Sequence, residues 1–110
     1  MNILVTAPYP EDELSALRRL GSVYYDPWTT RGKPFTPTEM VRTINQCRAS
    51  LVVTELDPID RSVLSKVKLQ AIGVCRGTPV NVDVAQATQD GIFVFRTPGR
   101  NAQAVAELAR

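Results

Sequence analysis

The chain has 110 residues, 44% of them apolar, and its 13 Lys and Arg against 11 Asp and Glu leave a formal charge of +2. That length suits one domain with a radius of gyration of about 13 Å that buries roughly two thirds of its unfolded surface, and it leaves no room for a second core. The charges form no run of like sign, which argues against a nucleic-acid or membrane-surface footprint, and Met1 to Ala7 lacks the basic stretch and the length of a signal core, so a cytoplasmic protein is expected.

Taken in chain order, Asn2 to Ala7 reads as a buried strand and Glu11 to Leu20 as a helix with Leu14, Leu17 and Leu20 on one face and Gly21 as its stop. Ser22 to Tyr25 is a second strand. From Asp26 to Phe35 the chain is rich in Pro, Gly and Thr and carries its single Trp, so it reads as a surface loop with an aromatic anchor. Thr36-Pro37-Thr38-Glu39 has the spacing of a capping box with Pro at the first helical position, opening a helix to about Cys47 with Met40, Val41, Ile44 and Cys47 inward. Leu51 to Val53 is a short apolar strand, Asp60 to Val67 a short helix with Val63, Leu64 and Val67 inward, and Leu69 to about Cys75 a fourth strand. Asp83-Val84-Ala85-Gln86 repeats the capping pattern before a helix that Gly91 ends, Ile92 to Phe95 is the fifth strand, and Asn101 to Arg110 is a helix with Ala104, Val105 and Leu108 on one face.

Strands alternating with helices imply an α/β fold with a parallel sheet. Five strands in about 95 residues suggest a three-layer, flavodoxin-like sandwich of order 2-1-3-4-5, which binds ligands outside the carboxyl ends of its strands. The loops after Ala7, Glu55, Cys75 and Phe95 are then neighbours. Cys47 and Cys75 have no metal-ligand spacing and the chain has no His, so no metal site is expected and both are read as buried thiols.

Several chemistries fail at these loops. Ala7-Pro8-Tyr9-Pro10 has two prolines without amide protons, which disfavours a phosphate-gripping flavin loop. It also lacks the acidic pair that would hold Mg²⁺ in a phosphoacceptor, and Asp57 alone cannot replace it. No two glycines are separated by one residue, so a dinucleotide fingerprint is missing. Arg76-Gly77-Thr78-Pro79 is the exception: Gly77 allows close backbone approach, and the amides of Gly77 and Thr78 can face a carboxylate or simply shape a turn. Asp83 is read as a cap, and Asn81 as tying this loop through its side-chain amide. Arg96 and Arg100 either draw an anion toward the loops or are merely solvated.

The run Gly73 to Asp83, then Gly91-Ile92-Phe93-Val94-Phe95, then Thr97-Pro98-Gly99-Arg100-Asn101 through Glu107 resembles the substrate-domain signature of the D-isomer-specific 2-hydroxyacid dehydrogenases. One branch of that family carries a similar Arg-Gly-Gly-Pro-Val-Asn-Val-Asp run, with Gly where Thr78 stands here. The resemblance implies that Arg76, Gly77 and Thr78 belong to a loop whose amides bind the carboxylate of a 2-oxo or D-2-hydroxy acid. It also implies that Asn101, otherwise an N-cap, faces the substrate, and that Val105, otherwise a core residue of its helix, touches the nicotinamide. Residues 1–100 would form the substrate-binding domain and 101–110 the start of a linker helix toward an NAD- or NADP-binding domain. In the family, His with an acidic partner, Arg and a Gly-rich turn complete the enzyme, all beyond the residues present here. The 110-residue piece is therefore expected to be inactive alone, its parent to be a homodimer, and one apolar flank of the lobe to be uncovered. A stand-alone module that binds a small carboxylate or a protein, and a truncated product without function, remain the alternatives.

Overall fold

Short runs of branched apolar residues form the strands, because a strand covered on both faces needs no polar alternation. The computed structural model describes residues 1–75 and 81–96. In chain order these form β1 (Asn2–Val5), α1 (Glu11–Arg18), β2 (Ser22–Tyr25), α2 (Trp28–Arg31), α3 (Pro37–Cys47), β3 (Leu51–Thr54), α4 (Arg61–Leu64), β4 (Ala71–Val74), α5 (Val84–Gln89) and β5 (Phe93–Arg96). The strands make one sheet of order β2-β1-β3-β4-β5, every pair parallel. The expected α/β architecture and strand order are borne out.

Alternation along each strand divides the core in two. Leu4, Val52 and Ile72 point to one face, where Met40 and Ile44 of α3, Val63 and Leu64 of α4 and Ala87 of α5 cover them. Ile3, Val5, Leu51, Val53 and Ala71 point to the other, against Leu14 and Leu17 of α1. Among the described residues that second face thins toward β5, where Phe93 is 55% exposed and its ring centroid lies 6.1 Å from that of Phe95.

Helix ends follow their caps. The Thr36 hydroxyl accepts the Glu39 amide at 3.2 Å, and the Glu39 carboxylate accepts the Thr36 amide at 2.9 Å, so both halves of the expected box form. At α5 only one half forms. Asp83 accepts the Gln86 amide, but the Gln86 side chain turns outward to Arg61 and Asp90. Asp60 caps α4 by accepting the Val63 amide at 3.0 Å and the Ser62 hydroxyl at 2.6 Å.

Several boundaries differ from expectation. The first strand stops at Val5, although Thr6 and Ala7 remain fully buried. The segment read as a loop from Asp26 contains the one-turn helix α2, closed by Gly32 at φ 81°. Gly91, at φ 79°, follows α5 as expected, whereas Gly21 stands three residues beyond α1 for a different reason: a Cβ there would lie 1.8 Å from the Met1 carbonyl oxygen. The short α4 leaves Val67 half-buried. Cys47 and Cys75 are also only half-buried, a correction to their reading as buried thiols: Cys47 ends α3 and Cys75 follows β4, each packed on the edge of a core cluster. Burial still pushes the Cys47 thiol above its usual range.

Two outcomes test these end contacts. Thr36→Ala is expected to cost about 1 kcal/mol, seen as a fall in Tm of about 4–8 °C by circular dichroism. The Ser62 hydroxyl, then the Val63 amide, hold the Asp60 carboxyl below its ordinary 3.8, so its stabilisation is complete above that pH and fades as the pH drops through the lower folded value. Asp60→Ala should therefore lower the urea midpoint at pH 7 and converge with the parent in strong acid.

Candidate functional site

In a sheet of this order the crevice lies at the carboxyl ends of the strands, where the order reverses between β1 and β3. The chain leaving β1 is held against β3 there: the Thr6 amide donates to the Val53 carbonyl at 2.9 Å. Tyr9, 6% exposed, is fixed by Tyr25, whose hydroxyl accepts the Tyr9 amide at 3.0 Å and returns a hydrogen bond to the Tyr9 carbonyl at 3.3 Å. The Cys75 thiol lies 3.8 Å from the Tyr9 hydroxyl. The chain leaving β2 is pinned by the Asp26 amide on Val5 and the Trp28 amide on Thr6, and the Trp28 indole donates to Glu55 at 3.0 Å.

Asp57, after β3, is the densest node. It is completely buried. One carboxylate oxygen accepts from the Arg31 guanidinium at 2.7 Å and from the Phe35 amide at 2.7 Å, while the other is buried without a hydrogen-bond partner among the described residues. A charge sealed from water is tolerable only when paired, and Arg31 provides the pair. Arg31 also reaches the Asp26 carbonyl at 2.6 Å and its carboxylate at 2.8 Å, and stacks 3.5 Å from the centre of the Phe35 ring.

The main chain of Asp57 faces another way. Its carbonyl accepts the Thr54 hydroxyl at 2.9 Å and the Asn81 side-chain amide at 2.7 Å. Asn81 is further held by its own carbonyl, which accepts the Ile59 amide at 2.9 Å, and Cys75 by its amide on the Thr54 carbonyl at 2.8 Å. Residues 75 and 81 are thus both fastened to the segment that follows β3. The expectation that Asn81 is tied through its side-chain amide, and that Asp83 caps, is met.

The site residues expected from the sequence, Arg76, Gly77, Thr78, Asn101 and Val105, lie outside the described residues, as does Arg100. Arg96 ends β5 and is exposed. Sequence reasoning missed the Arg31–Asp57 pair, the Trp28–Glu55 contact and the Tyr9–Tyr25 lock. No spacing rule links residues 16, 26 or 27 apart, and the one available signal was the cluster of Asp26, Trp28 and Arg31 in a segment otherwise made of turn formers.

Among the described residues no group of His, Cys, Asp or Glu is arranged to hold a metal ion, and no helix is long and apolar enough to cross a membrane. A dinucleotide does not fit the β1 exit either. Its Ala7-Pro8-Tyr9-Pro10 turn has no glycine, Tyr9 is already locked, and α1 opens with Glu11, Asp12 and Glu13, which would repel a pyrophosphate.

The buried pair makes an asymmetric prediction. Arg31→Ala strands a carboxylate that has no exposure and should cost about 3–5 kcal/mol in urea unfolding. Asp57→Ala should cost less, because the Arg31 side chain keeps Asp26 and 19% of its exposure. The reverse order would show that Arg31, not Asp57, is the dependent partner.

The family model for the D-isomer specific 2-hydroxyacid dehydrogenase catalytic domain matches residues 3–109. A Bacillus subtilis (strain 168) protein named as a 2-hydroxyacid dehydrogenase, YoaD, is 48% identical over 98% of this chain and 32% of its own length. A D-3-phosphoglycerate dehydrogenase of Methanocaldococcus jannaschii is 33% identical over 98% of this chain and 20% of its own. Among solved structures, a Pyrococcus horikoshii OT3 protein superposes with a TM-score of 0.72 at 23% identity, covering 97% of this chain and 30% of that one. The NAD⁺-bound 3-phosphoglycerate dehydrogenase of Entamoeba histolytica superposes at 0.65 with 23% identity, covering 98% and 36%. The chain spans a third or less of the length of the curated relatives it matches.

Proposed function

The chain belongs to the D-isomer-specific 2-hydroxyacid dehydrogenase family, and from that premise we propose that it is the substrate-binding lobe of an NAD- or NADP-dependent enzyme interconverting a 2-oxo acid and a D-2-hydroxy acid. The observation that carries this reading is the fastening of residues 75 and 81 to the exit of β3. On this reading the amides of Gly77 and Thr78, in the sequence between those two anchors, meet the substrate carboxylate.

In this reading Arg76 and Asn101 also face the substrate, and Val105 touches the nicotinamide. Residues 1–100 form the lobe and 101–110 lead into the domain that holds the cofactor. A 2-oxo acid gains a hydride at C2 and a proton on its carbonyl oxygen, the bound nicotinamide supplying the hydride. In the family reading the proton donor is a His paired with an acidic residue, and this chain has no His. The NAD⁺ named for the Entamoeba relative supports the cofactor class. A cytoplasmic homodimer completes the proposal.

The product of the gene that carries this sequence should oxidise NADH or NADPH, followed at 340 nm, with at least one of glyoxylate, hydroxypyruvate, pyruvate or a phosphorylated 2-oxo acid. The 110-residue polypeptide alone should show no turnover and bind NADH no tighter than about 1 mM. A gene product inert toward all four overturns the enzymatic reading, and tight NADH binding by the short polypeptide overturns the assignment of the cofactor to other residues.

A further inference from the structure

We propose that the cleft where α3 ends against the α4–β4 connection is a binding site for a small phosphate-bearing anion, held by Arg48, Lys66 and Lys68. It lies where the chain enters β3 and β4, at the end of the sheet opposite the strand exits. The site is therefore separate from the substrate edge and does not depend on the substrate-lobe reading.

The cleft has a volume of about 390 Å³, within the range of about 300–1,000 Å³ found for small-molecule sites. Its floor is apolar, because Ile44 and Ala49 are buried. Its charged lining is entirely basic: Arg48, Lys66 and Lys68 stand around it with Asn45 and no acid among the described residues. None of the three cations is in an ion pair among the described residues. Three like charges over an apolar floor repel one another, and a multiply charged anion turns that repulsion into attraction. A phosphate group carries about 1.5 to 2 negative charges at neutral pH, and Lys meets it as a point charge. A carboxylate brings only one.

Cations near helix carboxyl ends commonly serve the last carbonyls and the helix dipole. That need is already met here. The Ile44 and Asn45 carbonyls accept the Ala49 and Arg48 amides, and the Cys47 carbonyl accepts the Asn2 side chain. Lys68 lies beyond α4, next to Leu69, where no helix end calls for it. Arg48 has φ 53° and is the one non-glycine residue of positive φ among the described residues. Glycine would close α3 with less strain, so the strained backbone serves to set a guanidinium at the cleft. The walls are also fixed in advance. The Asn45 side-chain amide donates to the Lys66 carbonyl at 3.3 Å, and the Ser50 carbonyl accepts the Gln70 amide at 2.8 Å. Little ordering then subtracts from affinity when the anion arrives.

The test is a calorimetric titration of the full gene product with inorganic pyrophosphate, at fixed chloride concentration and with NADH at saturation to fill any phosphate site of the cofactor. The parent should bind pyrophosphate, more weakly as chloride rises. Lys68→Gln should weaken binding about tenfold, the scale of one lost charge-assisted contact. Arg48→Gly should weaken it to a similar extent while keeping or raising Tm in the absence of pyrophosphate, since glycine relieves the left-handed backbone. A merely structural Arg48 would give the opposite pattern, a lower Tm with unchanged binding. Arg18→Gln removes an exposed cation paired with Glu11 on α1 and should leave the affinity as it was. No pyrophosphate binding, unchanged affinity in Lys68→Gln or Arg48→Gly, or an equal loss in Arg18→Gln each overturn the site.

Discussion

A carboxylate with no access to water sits at the exit of the central strand, and the carboxyl end of this sheet is organised around neutralising it. Burying an unpaired carboxylate costs several kcal/mol or more. A buried carboxylate needs a cation beside it, and Arg31 lies 2.7 Å from Asp57, reaching it from a one-turn helix 26 residues earlier. The arrangement also helps to hold Asp26 to Phe35 in place. That segment is held at its start by the Asp26 and Trp28 amides on Val5 and Thr6 and by Trp28 on Glu55, and further along by Arg31 and by the Phe35 amide on Asp57.

The parallel sheet makes the pairing possible. Five parallel strands place all their carboxyl ends on one edge, so residues from four separate crossings meet there without any long excursion of chain. At the centre both faces are covered by helices, and β3 and β4 are short and fully buried. Polar chemistry is thereby confined to the strand exits. Thr54 marks the changeover: it is the last residue of β3, fully buried, and its hydroxyl turns to the Asp57 carbonyl while its own carbonyl takes the Cys75 amide.

The fold was legible in the sequence because its signals are local. Leu14 and Leu17, or Met40 and Ile44, recur at helical spacing, and Thr36 and Glu39 declare a helix start within four residues. The Asp83 pattern misled in one respect: Gln86 has the right spacing for a reciprocal cap, but Arg61 competes for its side chain. The thiols misled through composition, since a residue type that is usually buried lies here at element ends. What was not legible is whatever depends on distant pairing. Arg31 with Asp57, Trp28 with Glu55 and Tyr9 with Tyr25 are juxtaposed by strand order, and nothing in a linear reading distinguishes those partners from other charged or aromatic residues nearby.

The same contrast holds for single residues at the strand exits, which need not resemble any motif. Asn81 is two residues past a proline and looks like ordinary turn chemistry. Asp57 is one of two acids close after β3, with nothing in the sequence to mark it. Their significance emerges only when the Asp57 carbonyl and carboxylate are seen to serve two different segments.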